Sequence, residues 1–206
     1  MTHPRSGHIR EINGPILRIH LPGGRNGEQV RIGSLDIVGE IIALEGDDAI
    51  VQAYESTEGL RPGETVSGLG HPLTVELGPG LLQGIFDGVQ RPLREIAGLA
   101  GDNIPRGLRI DPLDRAREWP FEPNDGLQPG AAIRAGTRLG TVQETETIEH
   151  RILVPPEIGG ELIDLAPAGD FKLDATIARV RDHKGTVHKL RLFHRWPVRR
   201  PRPYTK

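Results

Sequence analysis

The sequence contains no cysteine, which removes disulfides, thiolate-ligated zinc and thiol nucleophiles together. Aromatic residues make up only 4% of the 206 positions, so any hydrophobic core must rest on Ile, Val and Leu. Lysine occurs only at positions 172, 184, 189 and 206. No stretch approaches the ~20 apolar residues of a membrane-spanning helix, and the N-terminal run MTHPRSGHIREINGP lacks the apolar segment of a secretory signal. These absences predict a soluble, cytoplasmic chain without direct membrane insertion. The formal net charge of −2 gives no global attraction to nucleic acid or anionic lipid.

Glycine (27) and proline (18) are abundant but recur at no fixed period. Such punctuation suits short strands joined by tight turns. Residues 7–67 read as successive strands broken at Gly14-Pro15, Pro22-Gly23-Gly24, Asn26-Gly27, Glu45-Gly46-Asp47-Asp48 and Arg61-Pro62-Gly63. Strands spaced in this way predict a small closed barrel of six-stranded type, because closure removes exposed edges. Beyond it, Leu81, Leu82, Ile85, Phe86 and Val89 recur at helical spacing and predict a short helix limited by Pro92. Residues 98–124, rich in Pro, Asp and Arg, read as a connector rather than core. Residues 125–181 repeat a phrase of turn and short apolar strand, predicting a flattened two-sheet module with hammerhead-like half-repeats. The fold class is therefore mainly β: an N-terminal barrel (1–72), a connector with a short helix (73–110), a β-rich, barrel-sandwich-like bulge (111–190) and a Pro/Arg-rich strap (191–206). Pro197, Pro201 and Pro203 predict an extended, semi-rigid exit for that strap.

Motifs that carry chemistry are missing. A P-loop requires Gly-x-x-x-x-Gly-Lys-Ser/Thr, so that backbone N–H groups and one lysine cradle the phosphates; no Gly-Lys pair occurs here. Gly78, Gly80 and Gly84 match a dinucleotide fingerprint only loosely, with the last spacing too long and no βαβ unit around them. His183, His188 and His194 are candidate metal ligands, but their Lys, Arg and Thr neighbours favour ordinary surface histidines. Glu144, Glu146 and Glu149 with His150 are candidates for acid–base work, although the stretch reads as a solvated hairpin turn. No catalytic, cofactor-binding or metal-ligating residue is predicted. The basic tail (Arg191, Arg195, Arg199, Arg200, Arg202, Lys206) with Phe193, Trp196 and Tyr204 mixes cations with stacking surfaces suited to nucleic acid. The negative net charge and the prolines favour a subunit-contact strap instead. Residues 127–180 also resemble a biotinyl or lipoyl carrier, but that chemistry needs a lysine at the hairpin tip and residues 138–151 contain none.

In order along the chain, GEIIALEGD (39–47), QAYESTEGL (52–60), VELGPGLL (75–82), IFDGVQRPL (85–93), PRG (105–107), LDR (113–115), GTVQE (140–144), VPP (154–156) and WPVRRPRP (196–203) resemble the catalytic A subunit of V-type and archaeal-type rotary ATPases. The resemblance implies an N-terminal barrel that joins a ring of alternating A and B barrels. It also implies an A-specific bulge over about residues 111–190, whose expected contacts are peripheral stalk subunits. In the family a P-loop domain follows and works on Mg-ATP, coupled to proton or sodium movement. The present sequence departs by ending before that domain and by differing around residues 21–30. The expected role is thus assembly, with no ATP chemistry and no cofactor of its own, peripheral to the membrane in the soluble ATPase head. Two alternatives stay open: a free-standing adaptor of ATPase assembly, and an oligonucleotide-binding barrel.

Overall fold

The structure, a computed structural model, describes residues 5–101 and 104–203. They form two compact units. One holds the chain up to Val75 with Phe86–Ile110 and Pro197–Arg200; the other holds Glu76–Ile85, Asp111–Trp196 and the chain from Pro201.

The first unit is built on six strands. They are β1 (Arg5–Asn13), β2 (Ile16–His20), β3 (Glu28–Ile32), β4 (Ile37–Glu45), β5 (Asp48–Ala53) and β6 (Thr65–Pro72). In β2, Leu17 and Ile19 point inward and Arg18 outward, the period of two that a half-buried strand requires. The strands close in the order β1-β2-β5-β4-β3-β6, with β6 returning to β1. Inside lie Ile9, Leu17, Ile19, Val30, Ile32 and Ile41, none more than 1% exposed; each such side chain contributes about 1.5–3 kcal/mol by leaving water. The core is aliphatic, as the scarcity of aromatics dictates. A β-bulge in β4 pairs Ile41 with Val51 and Ala43 with Ile50, so Ile42 is skipped and left outside the register.

After β7 (Thr74–Leu77), the expected helix over Leu81–Val89 is absent, and α1 spans Leu93–Ala100. Pro92 flanks the start of a helix instead of ending one, a position where its missing N–H costs nothing. The preceding residues cannot wind because Asp87 holds them in a turn. Its carboxylate accepts from the backbone N–H groups of Val89 (3.0 Å) and Arg91 (2.8 Å) and from Arg91 Nε (2.7 Å). A short acidic side chain offering the backbone such bonds competes directly with helix formation.

The second unit contains two four-stranded sheets. One, ordered β11-β10-β8-β13, is made of β8 (Glu118–Pro123), β10 (Arg138–Gln143), β11 (Glu149–Leu153) and β13 (Gly169–Lys172). The other, ordered β15-β14-β12-β9, is made of β9 (Ala132–Ile133), β12 (Gly160–Leu165), β14 (Ala178–Arg181) and β15 (Val187–Leu190). Their shared core holds Trp119, Phe121, Leu139, Leu162, Leu173 and Val180. Residues 98–124 are therefore not merely a connector: Trp119 and Phe121 are the two largest fully buried side chains, and Leu113 joins them in this core. The signal for this strand is the period-two alternation in EWPFEP. The strap also departs from a plain extended exit. β16 (His194–Pro197) pairs with β7, and Arg200 N–H then closes a turn onto the Pro197 carbonyl at 3.1 Å.

Close approach of β8 and β10 depends on Gly140. A Cβ there would overlap the Glu122 carbonyl and lie 2.5 Å from the Phe121 ring. Gly140→Ala is expected to destabilise the second unit by about 1–3 kcal/mol through overpacking. Urea unfolding followed by Trp119 fluorescence checks this, and an unchanged midpoint would refute the described β8–β10 packing.

Candidate functional site

Both units are pinned by carboxylates that have left water. A buried carboxylate is tolerated only where donors meet it, so each marks a point where separate segments are fixed together. In the first unit, Glu40 on β4 is 4% exposed. It accepts from the Tyr54 hydroxyl and from Arg199 at 2.7 Å (Nε) and 3.0 Å (Nη2). Burial, followed by the adjacent Glu40, raises the Tyr54 pKa above its ordinary value. Glu55 accepts from Arg91 Nη1 (2.9 Å) and from the Gly107 N–H (2.7 Å). Gly107 has φ +67° and sits so close to Leu35 that a Cβ would overlap its carbonyl; only glycine serves there. Glu28 accepts from Arg5 and from the N–H groups of Arg25 (3.1 Å) and Gly70 (2.8 Å).

In the second unit, Glu76 takes Arg115 and Arg195, the latter at 3.2 Å. Glu144 is 4% exposed. One of its oxygens accepts from the N–H groups of Gly80 (2.7 Å) and Leu82 (3.1 Å), and the other meets His150 Nδ1 at 2.9 Å. This corrects the expectation of a solvated acidic turn. Glu146 and Glu149 are exposed, but Glu144 turns inward and fastens the Gly78–Leu82 segment. Both Glu144 oxygens are thus engaged within the fold.

The other sequence candidates separate. Gly80 spends its N–H on Glu144, and Gly84 gives its own to the Leu81 carbonyl at 3.1 Å. Gly78 abuts Phe193. The N–H groups of Gly80 and Gly84 are thus spent within the fold. His183 is exposed, and His188 Nε2 bonds Asp182 at 2.9 Å. His194 is half-buried with Nε2 lacking a partner. Burial, with Arg202 and His150 nearby, pushes its pKa down to about 4. Among the described residues no group of three His, Asp or Glu is placed to hold a metal. In the tail, Arg191 reaches Asp174 (3.4 Å), Arg195 reaches Glu76, and Arg199 reaches Glu40. Phe193 and Trp196 are 9% and 6% exposed, so they offer little stacking surface. Tyr204 and Lys206 lie outside the described residues.

The barrel surface carries two further features. Asp48 gathers Arg10 (3.2 Å), Arg18 (3.1 Å) and His20 (3.1 Å); the His20 hydrogen bond leads the contributions that hold its carboxyl below the usual range. On β4, Ile42 and Leu44 are 39% and 45% exposed. Sequence reasoning does not pick out Glu28, Glu40, Glu55 and Glu76 as tie points. A lone carboxylate within an apolar strand run, as at Glu40 and Glu76, is the available signal.

Residues 9–70, which contain most of the closed barrel, match the β-barrel domain of the ATP synthase alpha/beta family. Residues 110–199 match the ATP synthase alpha/beta subunit barrel-sandwich domain. The chain belongs to the ATP synthase alpha/beta family. Within this family it is 56% identical over 200 residues to the V-type ATP synthase alpha chain of Nitrosococcus oceani, covering 96% of this chain and 34% of that one. It is 46% identical over 199 residues to the A subunit of the A-type ATP synthase of Thermococcus kodakarensis, with 96% and 34% covered. With the A subunit of the Methanopyrus kandleri A-type ATP synthase the identity is 44% over 207 residues, covering 100% and 35%. The chain thus spans about a third of the length of these relatives. The assembled type III secretion ATPase EscN of enteropathogenic E. coli aligns over 64% of this chain with a TM-score of 0.41 and 23% identity, a likeness too loose to carry weight.

Glu144→Ala is expected to cost about 1–3 kcal/mol, because the Gly80 and Leu82 N–H groups lose the acceptor they share. Urea unfolding gives the magnitude, and faster amide exchange at Gly80 and Leu82 locates it; unchanged exchange there would refute the clamp. The His194 environment sets a pH dependence. Its folded pKa of about 4 lies below the ordinary 6.5, so between those values the unfolded chain takes up a proton that the folded chain refuses. Stability from this group is present above pH 6.5 and lost as pH falls towards 4. His194→Gln should flatten the stability–pH curve across that window relative to the unsubstituted chain, as measured by urea midpoints at about pH 7 and about pH 4.5.

Proposed function

We propose that this chain serves as the assembly portion of the A subunit of an A-type or V-type ATP synthase. In this reading the barrel packs against barrels of B subunits, and the sandwich unit reaches peripheral stalk subunits. The whole stands at the membrane as part of a proton- or sodium-translocating rotary head, and ATP chemistry belongs to other parts of that protein. The observation that carries the reading is the closed barrel with Ile42 and Leu44 turned outward on β4. A barrel with no free edge has no need to expose aliphatics for its own fold, and outward aliphatics beside polar neighbours suit a subunit contact. The relatives support the same reading, since they are named as alpha chains or A subunits of ATP synthases. Among the described residues no helix is long and apolar enough to cross a membrane. The sequence has no Gly-Lys pair with which to build a P-loop, so the chain by itself is assigned no ATP turnover.

The test is titration of the 206-residue chain with the B subunit of an A-type ATP synthase, followed by size-exclusion chromatography and calorimetry. A complex is expected, and Ile42→Glu with Leu44→Glu is expected to weaken it by about tenfold or more, since each aliphatic contributes on the order of 1.5 kcal/mol on burial. Both side chains are already solvent-exposed, so the fold should survive, as circular dichroism would verify. Absence of a complex, or hydrolysis of ATP at enzyme-like rates by the purified chain, would overturn the reading.

A further inference from the structure

The basic tail, which assembly does not account for, contributes to a cleft in the second unit. The cleft has a volume of about 630 Å³. Six cations line it, namely Arg115, Arg151, Lys189, Arg191, Arg195 and Arg202, against one lining carboxylate, Asp174. Three of the arginines are already engaged. Arg115 pairs with Glu76 and lies 3.8 Å from Asp174, Arg191 lies 3.4 Å from Asp174, and Arg195 lies 3.2 Å from Glu76. Among the described residues Arg151, Lys189 and Arg202 have no carboxylate partner, and Arg202 rests over the Trp196 ring at 5.5 Å. The local charge is therefore strongly positive in a chain whose net charge is −2.

Two polar atoms of the same cleft residues are buried without a partner, Arg115 Nη1 and His194 Nε2. The first is an N–H donor with nothing to accept from it. Burial is the main cause of the depressed His194 pKa, and Arg202 and His150 add to it. Like charges converging on one concavity repel each other, and without a counter-ion they oppose the packed state.

We propose that this cleft binds a multiply charged phosphate anion, a di- or triphosphate group, either free or carried on a nucleotide. Three unneutralised cations on different segments call for a ligand with several negative charges instead of one. Guanidinium forks match phosphate oxygens in pairs. The site is separate from the P-loop chemistry that the sequence lacks, and it does not depend on the assembly reading.

The experiment is an NMR and calorimetric titration of the 206-residue chain with inorganic tripolyphosphate at low salt, with ATP as a second probe. Binding is expected to weaken as salt rises, and bound anion is expected to shift the His194 ring signals and raise its pKa from about 4. The double reversal Arg151→Glu with Lys189→Glu should weaken binding by about tenfold or more. The matched control Arg134→Glu with Lys184→Glu, the same charge change away from the cleft, should leave it nearly unchanged. Equal affinity for tripolyphosphate and ATP would assign the site to phosphate alone; tighter ATP binding would assign it to a nucleotide-borne group. Silence of His194 on titration, or equal weakening by both double variants, would overturn the proposal.

Discussion

A carboxylate that leaves water must be met by donors already in place, and this requirement organises both units. Strand pairing builds a barrel and a sandwich, but it does not say where long irregular segments go. The buried acids do. Glu40 takes an arginine 159 positions away, Glu76 one 119 away, and Glu144 takes N–H groups 64 and 62 positions away. In each case the acid sits on or beside a strand, and the donor comes from a turn, a strap or a distant strand. Because removing one partner of a buried charge costs far more than the intact pair contributes, the clamp fixes geometry more than it adds stability.

This division of labour explains which parts of the molecule are readable from the sequence. The barrel is legible because its turns are marked by Gly, Pro and Asn and strands such as β2 alternate, with Leu17 and Ile19 inside and Arg18 outside. The sandwich is legible from its repeated phrase of turn and strand. The segment between them is not, because apolar residues at 81, 82, 85, 86 and 89 mimic a helical stripe. The competing instruction comes from one side chain, Asp87, whose bonds to Val89 and Arg91 hold a turn. Periodicity sees apolar faces; it does not see which carboxylate will take a backbone N–H. Glu144 escapes sequence reading for the same reason. In a run of acids, nothing in the residue order distinguishes the one that turns inward to Gly80 from its exposed neighbours.

The same logic bears on what the outward surfaces are for. Polar surface in both units is largely committed internally: Arg91 to Glu55, Arg115 to Glu76, Arg199 to Glu40. What is left uncommitted stands out against that background. On the barrel it includes a pair of aliphatics on the bulged strand, Ile42 and Leu44, and in the second unit a set of cations without carboxylates. An uncommitted aliphatic loses nothing on meeting an apolar partner and gains by leaving water. An uncommitted cation in a concavity gains when an anion arrives. The two surfaces therefore favour different occupants and need not compete.

Chain order adds a last constraint. All six barrel strands are complete by Pro72, so the aliphatic core can form early from contacts of modest sequence separation. Glu40 is different. With only the early segment present it has the Tyr54 hydroxyl, and the guanidinium that matches its charge arrives with Arg199. Its 4% exposure belongs to the complete structure, in which the Tyr54 hydroxyl and Arg199 both meet it. The charge on Glu40 is thus matched through a residue of the strap, not of the barrel strands. Arg199 is itself exposed and bears little desolvation cost, so it can dock late without repacking the core. The strap is thereby tied to β4 of a barrel that its own strands already close.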